Sequence, residues 1–189
     1  SPNWAGLLML EGDFQPDVLA KTLDYLLIRH PMLRTVFMTE GAQTWQEIAE
    51  VQQAPVRVFD LSGQSRDEQR LTLDSAFAQL QRNDFDLSRY PLFQVHLYRT
   101  SNRTGALLIC MHHIITDGWS THILLNELLR VYDQMLDGQT PGLDFSPPLY
   151  TDCLPLMRTK TSPDVLEANT AYCSKILFHL PAFMPPPDA

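Results

Sequence analysis

The stretch Met-His-His-Ile-Ile-Thr-Asp-Gly-Trp-Ser, residues 111–120, puts two imidazoles, a carboxylate and two hydroxyls within ten positions. An imidazole titrates near neutrality, so His112 or His113 can take a proton from a reacting group or hold a developing positive charge. If the two lie on a strand they face opposite sides of a sheet and cannot share one task, which leaves one as the catalytic candidate. The plainer reading makes both structural and makes Asp117 the N-cap of a following helix. His113 and Asp117 are four residues apart and would share a helical face toward a metal. However, Ile114 and Ile115 continue strand character and no third ligand is nearby, so no metal is expected. Gly118 either serves only the turn or lets a substrate approach N–H groups at a helix N-terminus, where an oxyanion can be stabilised. Trp119 reads as a packing residue. Ser120 reads as a helix cap, since no GxSxG elbow makes it a nucleophile.

These side chains need a sheet beneath them and helices around them. The apolar period switches repeatedly between two and about 3.6, as in a mixed α/β domain. Gly6–Leu10, Leu33–Thr39, Thr44–Ile48, Val56–Leu61, Leu92–Arg99 and Ala106–Met111 read as strands, the last two joined as a hairpin by Ser101–Gly105. The last strand runs directly into His112. Helices are expected from Pro16 to before Pro31, with Leu19, Leu23, Leu26 and Leu27 toward the core, and from Arg66 to Gln81 with Leu71, Ala76, Phe77 and Leu80. A long third helix follows the motif, carrying Ile123, Leu124, Leu128, Val131 and Leu136.

Composition narrows the classes of function. With 189 residues and 44% hydrophobic content the chain can bury an ordinary core, as one domain or one large lobe. Lys and Arg number 14 against 22 Asp and Glu, a net charge of −8 spread without long blocks, which argues against nucleic acid as a partner. The longest apolar run, Ala106–Met111, is too short to span a bilayer and Ser1 opens no signal pattern, so a soluble cytoplasmic protein with no membrane partner is expected. Cys110, Cys153 and Cys173 form no CxxC and are expected to be buried free thiols. After Leu180 a Pro cluster, residues 181–189, reads as a connector.

Taken together, His-His-Ile-Ile-Thr-Asp-Gly-Trp-Ser matches the HHxxxDG signature of nonribosomal peptide synthetase condensation domains, members of the chloramphenicol acetyltransferase-like superfamily. Arg29–Phe37 resembles that family's RHExLRTxF block, with Pro31 in place of the usual Glu. Phe85-Asp86-Leu87 with Pro91-Leu92 resembles its FDL and PL element, and Asn126-Glu127-Leu128 with Tyr132 resembles the helix after the signature. Epimerisation domains usually differ after the Asp, and heterocyclising domains carry Asp in place of the first His.

The resemblance implies a two-layer α/β sandwich lobe, with a mixed, mostly antiparallel sheet and helices packed on it. Residues 1–180 would be the N-terminal lobe of a condensation domain, with the opening motif missing and residues 181–189 leading to an absent C-terminal lobe. Cys173 stands where the family usually has Trp. The implied activity is amide formation between a donor acyl or peptidyl thioester and an acceptor aminoacyl thioester. Both ride on the phosphopantetheine of donor and acceptor carrier proteins, beside an adenylation domain, with no cofactor bound directly. His113 would act as base or positioning group, with His112, Asp117 and Gly118 completing the site. Asp117 would pair with an arginine, Arg29 being favoured over Arg34. Trp119, Ser120 and Arg34 would line the substrate channel. Two other readings are an acyltransferase using a hydroxyl or free amine and a non-catalytic docking module.

Overall fold

The computed structural model describes residues 2–12, 14–143, 146–160 and 162–178, so the Pro-rich segment 181–189 lies outside the described residues. The chain divides into two compact units, residues 1–147 and 148–189. The first unit runs β1 (Asn3–Glu11), α1 (Pro16–Arg29), a 3₁₀ turn (Pro31–Arg34), β2 (Thr35–Glu40), β3 (Gln43–Ile48), β4 (Val56–Asp60), α2 (Arg66–Gln81), β5 (Phe93–Arg99), β6 (Thr104–His112) and α3 (Gly118–Leu136).

Strands β1, β6, β5 and β4 form one sheet in that order. The β1–β6 and β6–β5 pairs are antiparallel and β5–β4 is parallel. β2 and β3 pair separately as an antiparallel ribbon. β6 is the interior strand that ends in the motif, and its unbroken run Ala106–Met111 is buried throughout. Alternation explains this: Leu107, Ile109 and Met111 join Leu19, Leu23, Leu26 and Leu27 of α1 and Leu128 of α3. Ala106, Leu108 and Cys110 face the other way, toward Leu73 and Leu80 of α2. The sheet is mixed and mostly antiparallel with helices packed on it, as expected, and α2 adds a layer on the second face to the two-layer arrangement.

Local chemistry sets the helix ends. Pro16 opens α1, Asp17 lies in its first turn, and the chain stops at Arg29 because Pro31 cannot continue the helix. α2 starts with a reciprocal capping box: the Ser65 N–H donates to Glu68 Oε2 at 2.8 Å, and the Glu68 N–H donates to Ser65 Oγ. The structure corrects two expectations. Leu33 falls in the 3₁₀ turn rather than in β2, and Leu71 of α2 is 63% exposed because Leu73 and Leu80 are the leucines that α2 buries.

The second unit holds α4 (Tyr150–Lys160) and α5 (Pro163–Leu177), neither of which is expected from the sequence pattern. α4 carries Pro155 inside it and α5 starts on Pro163, and neither helix buries a side chain among its described residues. Of the three cysteines only Cys110 is buried; Cys153 is half-buried and Cys173 exposed. Cys153 and Cys173 lie on these two helices, which is why the expectation of three buried thiols fails.

Leu26, fully buried between α1 and the sheet, should lose about 2 to 5 kcal/mol of stability on truncation to Ala. Leu71→Ala should change stability by less than about 0.5 kcal/mol. Urea denaturation of the two variants reads the difference, and a comparable loss at Leu71 would contradict this placement of α2.

Candidate active site

β6 brings His112 opposite Asn3 of β1, and the chain then turns through residues 113–116 into α3. The turn closes where the Ile115 N–H donates to the His112 carbonyl at 3.1 Å, so Ile114 and Ile115 do not prolong the strand. Ile115 is buried and anchors the turn in the core. Thr116 and Thr121, both buried, share a hydroxyl contact at 3.0 Å, and Thr121 Oγ1 donates to the Asp117 carbonyl at 2.7 Å. Asp117 is extended and its carboxylate accepts the Ser120 N–H at 2.7 Å, capping α3. That bond, more than any other cause, holds the Asp117 carboxyl below its ordinary value. Asp117 is therefore the cap, and Ser120 is a donor to it, contrary to the expectation that Ser120 caps.

The two histidines are placed differently. His112 is half-buried, and its Nδ1 accepts the Ile114 N–H at 3.0 Å, so neutral His112 carries its proton on Nε2. Burial, and secondarily the neighbouring His113, push its pKa down, with Asp84 opposing. His112 is a neutral orienting group whose one lone pair is already used. His113 is exposed; its backbone N–H donates to the Pro2 carbonyl at 2.7 Å and its Nδ1 lies 3.3 Å from the Thr116 carbonyl. A carbonyl can only accept, so Nδ1 carries the hydrogen and the Nε2 lone pair remains to take another proton.

Arg29 and Asp117 do not pair. The Arg29 guanidinium grips Glu127 of α3 instead, with Nε–Oε2 and Nη2–Oε1 distances of 3.0 Å each, and His30 Nε2 reaches the same Oε2 at 2.6 Å. The Arg29 and Glu127 side chains are only 9% and 15% exposed. Burial pushes the Glu127 carboxyl up, but the hydrogen bonds and charges of Arg29 and His30 together outweigh it and hold the pKa below its ordinary value. The physical reason for the correction is geometric. Arg29 ends α1, which lies along α3, and Glu127 sits on the same apolar stripe as Leu124, Leu128 and Val131. A carboxylate on a core-facing stripe requires a buried base, a signal already present in the helix pattern.

Arg34, expected to line a channel, is bonded to backbone. Its Nε donates to the Leu27 carbonyl at 2.8 Å and its Nη1 to the Ala49 carbonyl, so it joins the end of α1 to the segment after β3. At Gly118 a Cβ would meet open space and φ is not positive, so no dihedral demands glycine there. Trp119 is 76% exposed and does not pack into the core of its unit. Among the described residues no cluster of three His, Cys, Asp or Glu can hold a metal ion, and no helix is long and apolar enough to cross a membrane.

Removing one partner of the Arg29–Glu127 pair should cost roughly 3 kcal/mol, whereas Asp117→Ala should cost about 1 kcal/mol as a lost cap. The Glu127 pKa is lowered from 4.5, so its stabilisation is present above about pH 4.5 and is lost as pH falls through the folded value. Stability of Glu127→Gln, followed by denaturant melts between about pH 5 and 3, should be lower than wild type and fall less steeply with acid. An unchanged slope would show that the pair contributes nothing.

Comparison with known proteins bears on the family and the fold. The model of the condensation domain family matches residues 3–185. Malpibaldin synthetase of Mortierella alpina is 33% identical over 176 residues, covering 93% of this chain and 3% of that protein. Bacitracin synthase 1 of Bacillus licheniformis is 32% identical over 138 residues, covering 72% and 3%. The chain thus spans only a few per cent of the length of these relatives. Among solved structures, a mutant starter condensation domain of rhizomide synthetase RzmA in complex with C8-CoA superposes with a TM-score of 0.83 at 24% identity, covering 100% of this chain and 44% of that one. The epimerization domain from the third module of tyrocidine synthetase B gives 0.79 at 24%, covering 97% and 40%. These likenesses show the fold, the mixed sheet and helices of the chloramphenicol acetyltransferase-like type. With a family model spanning nearly all of its length and relatives above 30% identity, the chain belongs to the condensation-domain family.

Proposed function

We propose that this chain is the first lobe of a condensation domain that makes amide bonds between carrier-bound substrates in a nonribosomal peptide synthetase. The observation that carries the proposal is His113: an exposed imidazole whose Nδ1–H is held by the Thr116 carbonyl, leaving Nε2 as a proton acceptor. An acceptor α-amine, with an ordinary pKa near 8, attacks the carbonyl of the donor thioester. A C–N bond forms, the C–S bond breaks and the thiolate leaves. The attacking nitrogen must shed a proton as it becomes an amide nitrogen, and the Nε2 lone pair of His113 receives or steers it. His112 contributes by fixing the turn through the Ile114 N–H, and Asp117 by capping the helix that follows.

The family and the synthetases among its relatives support the wider setting. In this reading the donor and acceptor arrive on phosphopantetheine arms of two carrier domains, an adenylation domain loads them, and a second lobe outside this chain closes the active-site channel. One solved relative is a complex with C8-CoA, a molecule that carries the same kind of pantetheine arm. Trp119 is exposed at the start of α3, and in this reading it would meet such an arm or the second lobe.

Product formation by the complete domain, given donor-loaded and acceptor-loaded carriers and followed by intact-protein mass spectrometry, tests the proposal. The wild type should yield a dipeptidyl carrier, and His113→Ala should slow it by roughly 10²- to 10⁴-fold. An undiminished rate in the variant would remove His113 from the chemistry, and an ester product only with a hydroxyl acceptor would replace the amide reading.

A further inference from the structure

Between the far end of β1, the start of α1 and the second half of α3 lies a cavity of about 430 Å³, within the size range of small-molecule sites. Leu8, Leu107 and Leu128 contribute to its apolar wall, the rings of Phe14 and Tyr132 belong to the same lining, and Glu11 and Asp133 are its charged residues among those described. Among the described residues no basic side chain lines it. Neither carboxylate forms an ion pair among the described residues. Arg99 lies over the Phe14 ring, 6.0 Å from its centroid, but is not part of the wall.

The wall is built rather than incidental. Tyr132 Oη accepts the Gln15 N–H at 2.7 Å, which ties α3 to the start of α1. Phe14 rests on Gly105, where a Cβ would come within 2.7 Å of its ring. The site is also separate from the motif. Leu107 precedes His112 by five residues, about 17 Å along β6, and Leu128 follows Gly118 by ten, about 15 Å along α3.

We infer that this cavity, whose described lining carries two carboxylates without ion-pair partners, two aromatic rings and an aliphatic wall, binds a small organic ammonium ion with an apolar body. Carboxylates and π faces both attract a cation, and the leucines take up the apolar part that an inorganic cation lacks. The same wall offers an anion no counter-charge.

Methyl NMR of the 189-residue chain, titrated with phenethylammonium, phenethyl alcohol and 3-phenylpropionate, tests the inference. Phenethylammonium should give saturable shifts at Met9, Leu107 and Leu129, weakened by salt, with the alcohol binding less tightly and the carboxylate not at all. The double variant E11Q/D133N changes two exposed side chains and should keep the fold by circular dichroism. It should weaken the ammonium by roughly fivefold and leave the alcohol unchanged. Leu129→Trp, which narrows the mouth from an exposed position, should abolish binding of both. Equal binding of the three probes, no saturable shift up to about 10 mM, or full ammonium affinity in E11Q/D133N would overturn the assignment.

Discussion

Strand β6 is apolar on both faces, and its position inside the sheet decides where the chemistry emerges. Because Leu107, Ile109 and Met111 are committed to α1 and α3 while Ala106, Leu108 and Cys110 are committed to α2, a register slip of one residue would exchange the two sets. Side chains of different sizes fill the two interfaces, so the slip is costly. His112 therefore always arrives at the same edge, opposite Asn3, and His113 is the first side chain released from the ladder.

The second constraint is electrostatic and lies between helices. α3 has to leave the motif along α1, and a carboxylate on its buried stripe is tolerable only where the fork of Arg29 and the ring of His30 meet it. Hydrophobic contact would let the two helices slide or rotate a little. A bidentate ion pair with little access to water does not, since either movement leaves a charge unsatisfied. Arg34 does related work on the backbone, holding the carbonyls of Leu27 and Ala49.

Much of this was legible in the chain. The 3.6-residue spacing of Leu19, Leu23, Leu26 and Leu27, the Pro residues at either side of α1 and the unbroken run of β6 each report a local cause, so the matching elements appear where expected. The cap by Asp117 was legible for the same reason, its partner being three residues away. The partner of Arg29 was not, because Glu127 is 98 residues distant and is selected by how α1 and α3 rotate against each other. α2 misled because Leu71 and Leu73, about 200° apart on the helix, lie on nearly opposite faces, and only the sheet beneath decides which one is buried. α4 and α5 escaped notice because a proline interrupts one and neither carries a strong core-facing stripe.

The burial of Cys110 has a consequence for the chemistry of the thiols. Its Sγ donates to the Leu80 carbonyl at 3.1 Å and burial pushes its pKa up to about 11, so the nucleophilic thiolate is nearly absent at neutral pH. Cys173 is exposed on α5. An electrophile meeting the folded chain accordingly marks Cys173 and spares Cys110, and labelling of Cys110 records the moments when α2 has lifted from β6.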